Sequence, residues 1–233
     1  MVKFIENELS SLREEVVQMW NLVYSQLQHA KTAVINLDRK AAQQIAVRER
    51  RVDAFDLKID SDVEDYIALY TPVAVDLRFV LAILKINNDL ERIGDYADGI
   101  ARFVGDVETD AIDAELLHNL QIEAMFGIVF DMMEGLQEAF VTENVEKALE
   151  ALAQDDMLDK MNQAATDILV EHALKNPADV ALCLALGGVV RKLERTGDHM
   201  TNIAEEIIFY VDAKVLKHAD KMRAREQGDE ADV

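Results

Sequence analysis

The hexapeptide Leu90-Glu91-Arg92-Ile93-Gly94-Asp95 returns as Leu193-Glu194-Arg195-Thr196-Gly197-Asp198, changed at one position of six. In the first copy Ile86, Leu90, Ile93, Ala97, Ile100 and Val104 recur at spacings of four and three. Val189, Leu193, Thr196, Met200, Ile203 and Ile207 trace the same stripe in the second. That spacing is the apolar face of a long amphipathic helix. Each copy carries a glycine inside its helix, where glycine costs ~1 kcal/mol against alanine. Its return at the same place points to a close approach of the backbone or to room for a ligand.

The duplication reaches well beyond this stretch. Met19 to Asp53 lies on Met125 to Asp159 without a gap, at an offset of 106. The register pairs Val23 with Val129, Ala33 with Ala139, Ala42 with Ala148 and the cap candidates Asp38 and Asn144. The chain's two prolines fall in matching places, Thr71-Pro72 and Asn176-Pro177. Together these matches indicate a tandem repeat. Within the first unit, Ile5, Leu9, Leu12, Val16, Met19, Val23, Leu27, Ala30 and Val34 mark a first helix. Asp38 is suited to cap a second, with Ile45, Val52, Phe55, Ile59 and Tyr66 on its buried side. Thr71 and Pro72 are expected to open a third that runs to about Val104 and stops at Gly105. Short connections between long helices make neighbours antiparallel. The expected fold is all-α, two tandem three-helix antiparallel bundles of six long helices packed side by side. The expected units are residues 1–106 and 107–225, followed by an acidic, disordered tail at 226–233.

Composition narrows the function. Twenty-four basic residues against forty-five acidic ones leave a formal charge of −21. Such a surface repels nucleic acid and anionic lipid and attracts cations and basic partners. The longest apolar run, Val180 to Val190, is too short to span a bilayer, and the first residues carry no signal-peptide core. A soluble, cytoplasmic protein is expected. The single cysteine, Cys183, excludes an internal disulfide framework.

Carboxylates four apart share one strip of helix surface. With so many acids, roughly eight or nine such pairs arise by chance, so one pair carries little. Position carries more. Glu49 and Asp53 form a pair on the second helix, and the repeat register maps them onto Asp155 and Asp159. On the third helices the pairs are Glu91 with Asp95 and Glu194 with Asp198. Facing two such pairs raises pKa values or demands a cation. Hard oxygen ligands suit Mg²⁺, Mn²⁺, Ca²⁺ or iron, while zinc more often recruits His or Cys. The alternative is a set of flanking charges, solvated or paired with Arg50, Arg92 and Arg195. Glu115-Leu116-Leu117-His118 matches one di-iron element without the second that such bundles need. His199 is a further ligand candidate, and Arg48, Arg50 and Arg51 form a small basic cluster suited to phosphate or an acidic loop.

The run Pro72-Val73-Ala74-Val75-Asp76-Leu77-Arg78, followed by Asn88 to Asp95, resembles the PhoU family, bacterial accessory proteins of phosphate-specific transport. So does Leu193 to His199 followed by Asn202-Ile203-Ala204-Glu205. The resemblance covers essentially the whole chain. It implies two bundles holding multinuclear clusters of iron or zinc, with Mg or Mn as further options. By that pattern the ligands are Glu49, Asp53, Glu91, Asp95, Asp155, Asp159, Glu194 and Asp198, with Asn202 from the trailing motif. The first repeat departs there with Asp98-Gly99-Ile100-Ala101, so the two sites are expected to differ. The implied role is negative regulation of phosphate homeostasis by a homodimer that is not an enzyme. It restrains a phosphate ABC transporter and a membrane histidine kinase when phosphate is plentiful. A carboxylate-bridged metal enzyme and a metal-free helical scaffold are the competing readings.

Overall fold

The structure is a computed structural model that describes residues 2–107, 109 and 111–213. The expected tail at 226–233 and the end of the second unit lie outside the described residues. Among the described residues there is no strand, and the all-α expectation holds. Helices α1 (Val2–Asn36), α2 (Arg39–Tyr70) and α3 (Ala74–Ala101) pack pairwise as one bundle. Short helices α4 (Phe103–Asp106) and α5 (Ala114–Asn119) lead to α6 (Ile122–Thr142), α7 (Val145–Leu152) and α8 (Asp155–Lys175). A 3₁₀ turn, Pro177–Asp179, then delivers α9 (Val180–Asp212). The most extensive contact in the molecule joins α3 to α9, the two helices that carry the repeated hexapeptide.

Local chemistry sets most boundaries. Asp38 accepts hydrogen bonds from the Lys40 and Ala41 amides and so caps α2. Asn144 does the same for α7 through the Lys147 amide. Thr71 does not open α3. Thr71 instead turns left-handed and closes α2 by donating its N–H to the Ile67 carbonyl. Helix α3 then starts at Ala74, with no side-chain cap from Val73. It also ends earlier than expected, at Ala101, and Arg102 separates it from α4.

The second unit departs further. Where the first has one long α2, the second has α7 and α8, broken at Ala153 and Gln154. The Ala153 and Gln154 amides bond back to Leu149 and Ala151. Asp155 and Asp156 thereby fall in the first turn of α8, where helix-dipole attraction favours acids that compete with the backbone in a helix interior. The break brings Asp155 to the start of α8, facing α9.

The two units are stapled where α1 meets α6 and the residue that closes it. Arg13 on α1 donates to the Phe140 carbonyl at 2.8 Å and to Glu143 Oε1 at 2.6 Å, and its guanidinium lies 4.5 Å from the Phe79 ring centroid. Trp20 Nε1 donates across to the Met133 carbonyl, while within the second unit the Tyr210 hydroxyl donates to that of Phe140. Arg13→Ala removes a cation–π contact and charge-assisted hydrogen bonds spanning both units. It is expected to cost ~1–3 kcal/mol in urea unfolding. A loss below about 0.5 kcal/mol, the range of ordinary surface changes, would show that the staple carries nothing.

Candidate metal centre

In the second unit Asp155 and Asp159 project from α8 toward Glu194 and Asp198 on α9. Gly197 makes this approach possible. A Cβ there would stand 2.5 Å from Asp155 Oδ1 and 2.6 Å from Leu158 Cδ1. Among the described residues, Asp155, Asp159 and Asp198 are the one set of three His, Cys, Asp or Glu whose ligand atoms all lie within 4.8 Å of one another. Burial, with Asp198, Asp159 and Glu194 as neighbouring charges, pushes the Asp155 carboxyl up to about 7. Glu194 is raised by burial and then by Asp198 and Asp159. Asp198 is raised by burial, with exposed Arg195 at 3.9 Å opposing. Asp155 Oδ1 and Glu194 Oε2 are buried and accept no hydrogen bond. Buried acceptors are rarely left unpaired.

The first unit repeats the plan, with Glu49 also held from α1. Burial pushes Glu49 up to about 7, helped by Asp95, Asp98 and Asp53 and opposed by a 2.7 Å hydrogen bond from Gln26 Nε2. Its other oxygen, Oε1, is buried and unbonded. Burial raises Glu91 as well, with Asp95 adding to the effect. Arg92 lies 3.4 Å from Glu91 and 3.1 Å from Asp95, so one cation of the chain's own already spans that pair. Asp53 and Asp95 are exposed. The structural equivalent of Gly197 is Gly94, where a Cβ would stand 3.2 Å from Gln26 Oε1 and 3.3 Å from Val52.

The remaining candidates fall elsewhere. Asn202 donates to Asp89 at 3.3 Å, and His199 meets the same carboxylate at 2.7 Å, on the seam between α3 and α9. The basic cluster is divided. Arg48 donates to Ser25 at 2.6 Å, whereas Arg50 lines a cavity of about 720 Å³ with Arg39, Arg102, Glu49 and Asp98. Glu115 lies in the first turn of α5 and His118 in its last, away from both carboxylate groups. Sequence reasoning missed Gln26, a fully buried polar residue on α1 with no repeat partner to flag it. It also missed Asp98, which adds to the charge around Glu49.

The donor set fits a hard cation. Each unit offers carboxylate oxygens from two adjacent helices, some of them buried with nothing to bond. The arrangement also explains the repeated hexapeptide, since its glycine admits the facing helix and its two acids flank that glycine's face. The PhoU domain profile matches residues 16–104 and 122–207. The chain belongs to the PhoU family. The phosphate-specific transport system accessory protein PhoU homolog 1 of Thermotoga maritima is 32% identical over 225 residues, 97% of this chain and 95% of the relative. The Caulobacter vibrioides (strain NA1000 / CB15N) homolog is 32% identical over 216 residues, 92% and 93% of the two chains. The crystal structure of PhoU from Pseudomonas aeruginosa superposes with a TM-score of 0.81 at 28% identity, covering 90% of this chain and 99% of that one. The Streptococcus pneumoniae phosphate transport system regulatory protein PhoU shares the fold at a TM-score of 0.82 and 24% identity, over 91% and 98%. The two PhoU stretches each contain both carboxylate pairs of one unit.

Proposed function

We propose that this PhoU-family chain is a metal-loaded, non-enzymatic regulator of phosphate uptake. It acts in the cytoplasm, as a homodimer, with residues 1–106 and 107–225 as its two repeat units. It restrains a phosphate ABC transporter and a histidine kinase when phosphate is plentiful. The transport role is supported by relatives named as accessory proteins of the phosphate-specific transport system, which match nearly full length. The observation carrying the metal half of the reading is the convergence of Asp155, Asp159 and Asp198 within 4.8 Å beside unbonded buried oxygens. Glu194 completes that group, and Glu49, Asp53, Glu91 and Asp95 form the other. A bound cation supplies positive charge that holds α8 against α9 and α2 against α3. Iron or zinc is the favoured metal, with Mg or Mn next. No described helix is long and apolar enough to cross a membrane, so membrane partners are reached through their exposed loops.

Deleting the gene is expected to raise phosphate-starvation transcripts several-fold in high phosphate, and a plasmid copy to restore repression. A copy carrying Asp155→Asn and Asp198→Asn is expected to restore little. Unchanged transcripts after deletion would remove the regulatory reading, and full rescue by the double variant would remove the metal from it.

A further inference from the structure

We propose that the first bundle binds a phosphoryl anion, free phosphate or the phosphate end of a nucleotide, between Arg39 and Arg50 of α2 and Arg102 beyond α3. Neither the metal nor the regulatory role is needed for it, so its failure would leave the functional reading standing.

An arginine is easily satisfied in this chain, where forty-five acidic residues face twenty-four basic ones. Arg13, Arg92, Arg102 and Arg195 each pair with a carboxylate. Arg39 and Arg50 pair with nothing among the described residues, yet both line the cavity of about 720 Å³ beside α4. They stand eleven residues apart, three turns of helix, so they share one face of α2 with ~16 Å between their Cα atoms. Two long side chains can close from either end on a ligand lying between them. Arg102 enters from the facing wall. It donates to Asp98 through Nε at 2.7 Å and through Nη2, which leaves the Nη1 protons uncommitted.

Two carboxylates share the cavity, and both are engaged. Asp98 holds Arg102, and Glu49 Oε2 accepts from Gln26. Three guanidinium groups therefore outweigh them, on a molecule whose charge of −21 repels anions over most of its surface. The planar guanidinium fork matches two phosphate oxygens at once, which a lysine cannot do. The volume falls among pockets that take small organic ligands, ~300–1,000 Å³, and so admits a nucleotide as well as the free ion. The repeat offsets of 106 and 103 put Val145, Asp156 and Glu205 where the three arginines stand. The shared scaffold folds without them, so the basic set is particular to the first unit.

Inorganic phosphate and ADP are the probes, titrated calorimetrically into the full-length chain at fixed ionic strength in chloride. A single site per chain is expected. ADP binding tighter than phosphate marks a nucleotide site, and phosphate binding as tightly as ADP or more so marks a site for the free ion. Arg39→Gln and Arg50→Gln are each expected to weaken that binding by about tenfold or more, the usual loss of a hydrogen bond to a charged group. Neither side chain has a partner to lose, so both variants are expected to fold. Arg51→Gln removes the same charge one residue on, outside the cavity, and is expected to change affinity by less than about twofold. Arg39 lies three turns from Arg50, so an anion held only by metal at the carboxylates would not respond to its loss. Binding of neither probe, an affinity indifferent to Arg39→Gln, or an equal loss in Arg51→Gln would overturn the proposal.

Discussion

The metal-free protein is expected to lose stability as pH rises from about 4 to about 7, the reverse of the usual acid limb. Glu49 and Asp155 both stand at about 7 in the folded chain, against ordinary values of 4.5 and 3.8. Between those limits the folded state holds protons that the unfolded chain has released, so the slope of unfolding free energy with pH is negative. The stabilising protonated form is fully present below the unfolded values and is lost on passing the folded ones. Burial is the first cause in both groups, so the effect survives moderate salt better than exposed ion pairs do. Other carboxylates titrate too, which makes the difference from Glu49→Gln with Asp155→Asn the quantity to measure. That variant should show a flatter profile over the same range.

Metal should reverse the trend. A cation binds the ionised carboxylates, so its effect grows with pH as protons cease to compete. Ligand at about a hundred times its dissociation constant adds ~2.7 kcal/mol. For a chain of this size that amounts to roughly 5–11 °C in melting temperature. Scanning calorimetry in chelator, then with Fe²⁺, Zn²⁺ or Mn²⁺, at about pH 5 and about pH 8 gives four values per metal. A chelated protein that grows more stable toward alkaline pH, or one indifferent to every metal, would defeat this account of the carboxylates.

Gly197→Ala is the second large effect. Alanine improves helix propensity by ~1 kcal/mol, and in open space it would stabilise α9. Here the added methyl would stand 2.5 Å from Asp155 Oδ1 and 2.6 Å from Leu158 Cδ1, closer than real contacts allow. Either α8 withdraws or both side chains leave their positions, and overpacking of that kind costs ~1–3 kcal/mol net. The withdrawal also pulls Asp155 from Asp198, so metal retention should fall together with stability. Gly94→Ala meets contacts of 3.2 and 3.3 Å and should cost less. Gly127 and Gly135 have nothing within 4 Å, and alanine at either should raise stability. Chemical denaturation of the four variants tests the order. Gly197→Ala as benign as Gly135→Ala would contradict the close approach.

The helices were legible because their apolar stripes are long and the repeat supplies each twice. Asp38 and Asn144 were legible as caps because a short acidic or amide side chain has few other uses at a helix start. Thr71 was misassigned because it suits a cap by composition, whereas it sits left-handed at the end of α2, a conformation its residue type does not announce. The break at Ala153–Gln154 carries no glycine or proline to mark it. It shows only as paired acids that fare better in a first turn than mid-helix. The carboxylate pairs were visible through spacing and repetition, and the departure at Asp98 already marked the two sites as different. Gln26 reaches Glu49 through tertiary placement, and nothing in its local sequence announces it.

Helices α3 and α9 each line one carboxylate group and also press against each other along the broadest contact in the molecule. Lys85 reaches Glu206 across that contact at 2.8 Å, and His199 reaches Asp89. The two centres therefore share a common spine, each occupying one flank of it. A substitution that moves either helix within that contact is therefore expected to disturb both carboxylate groups.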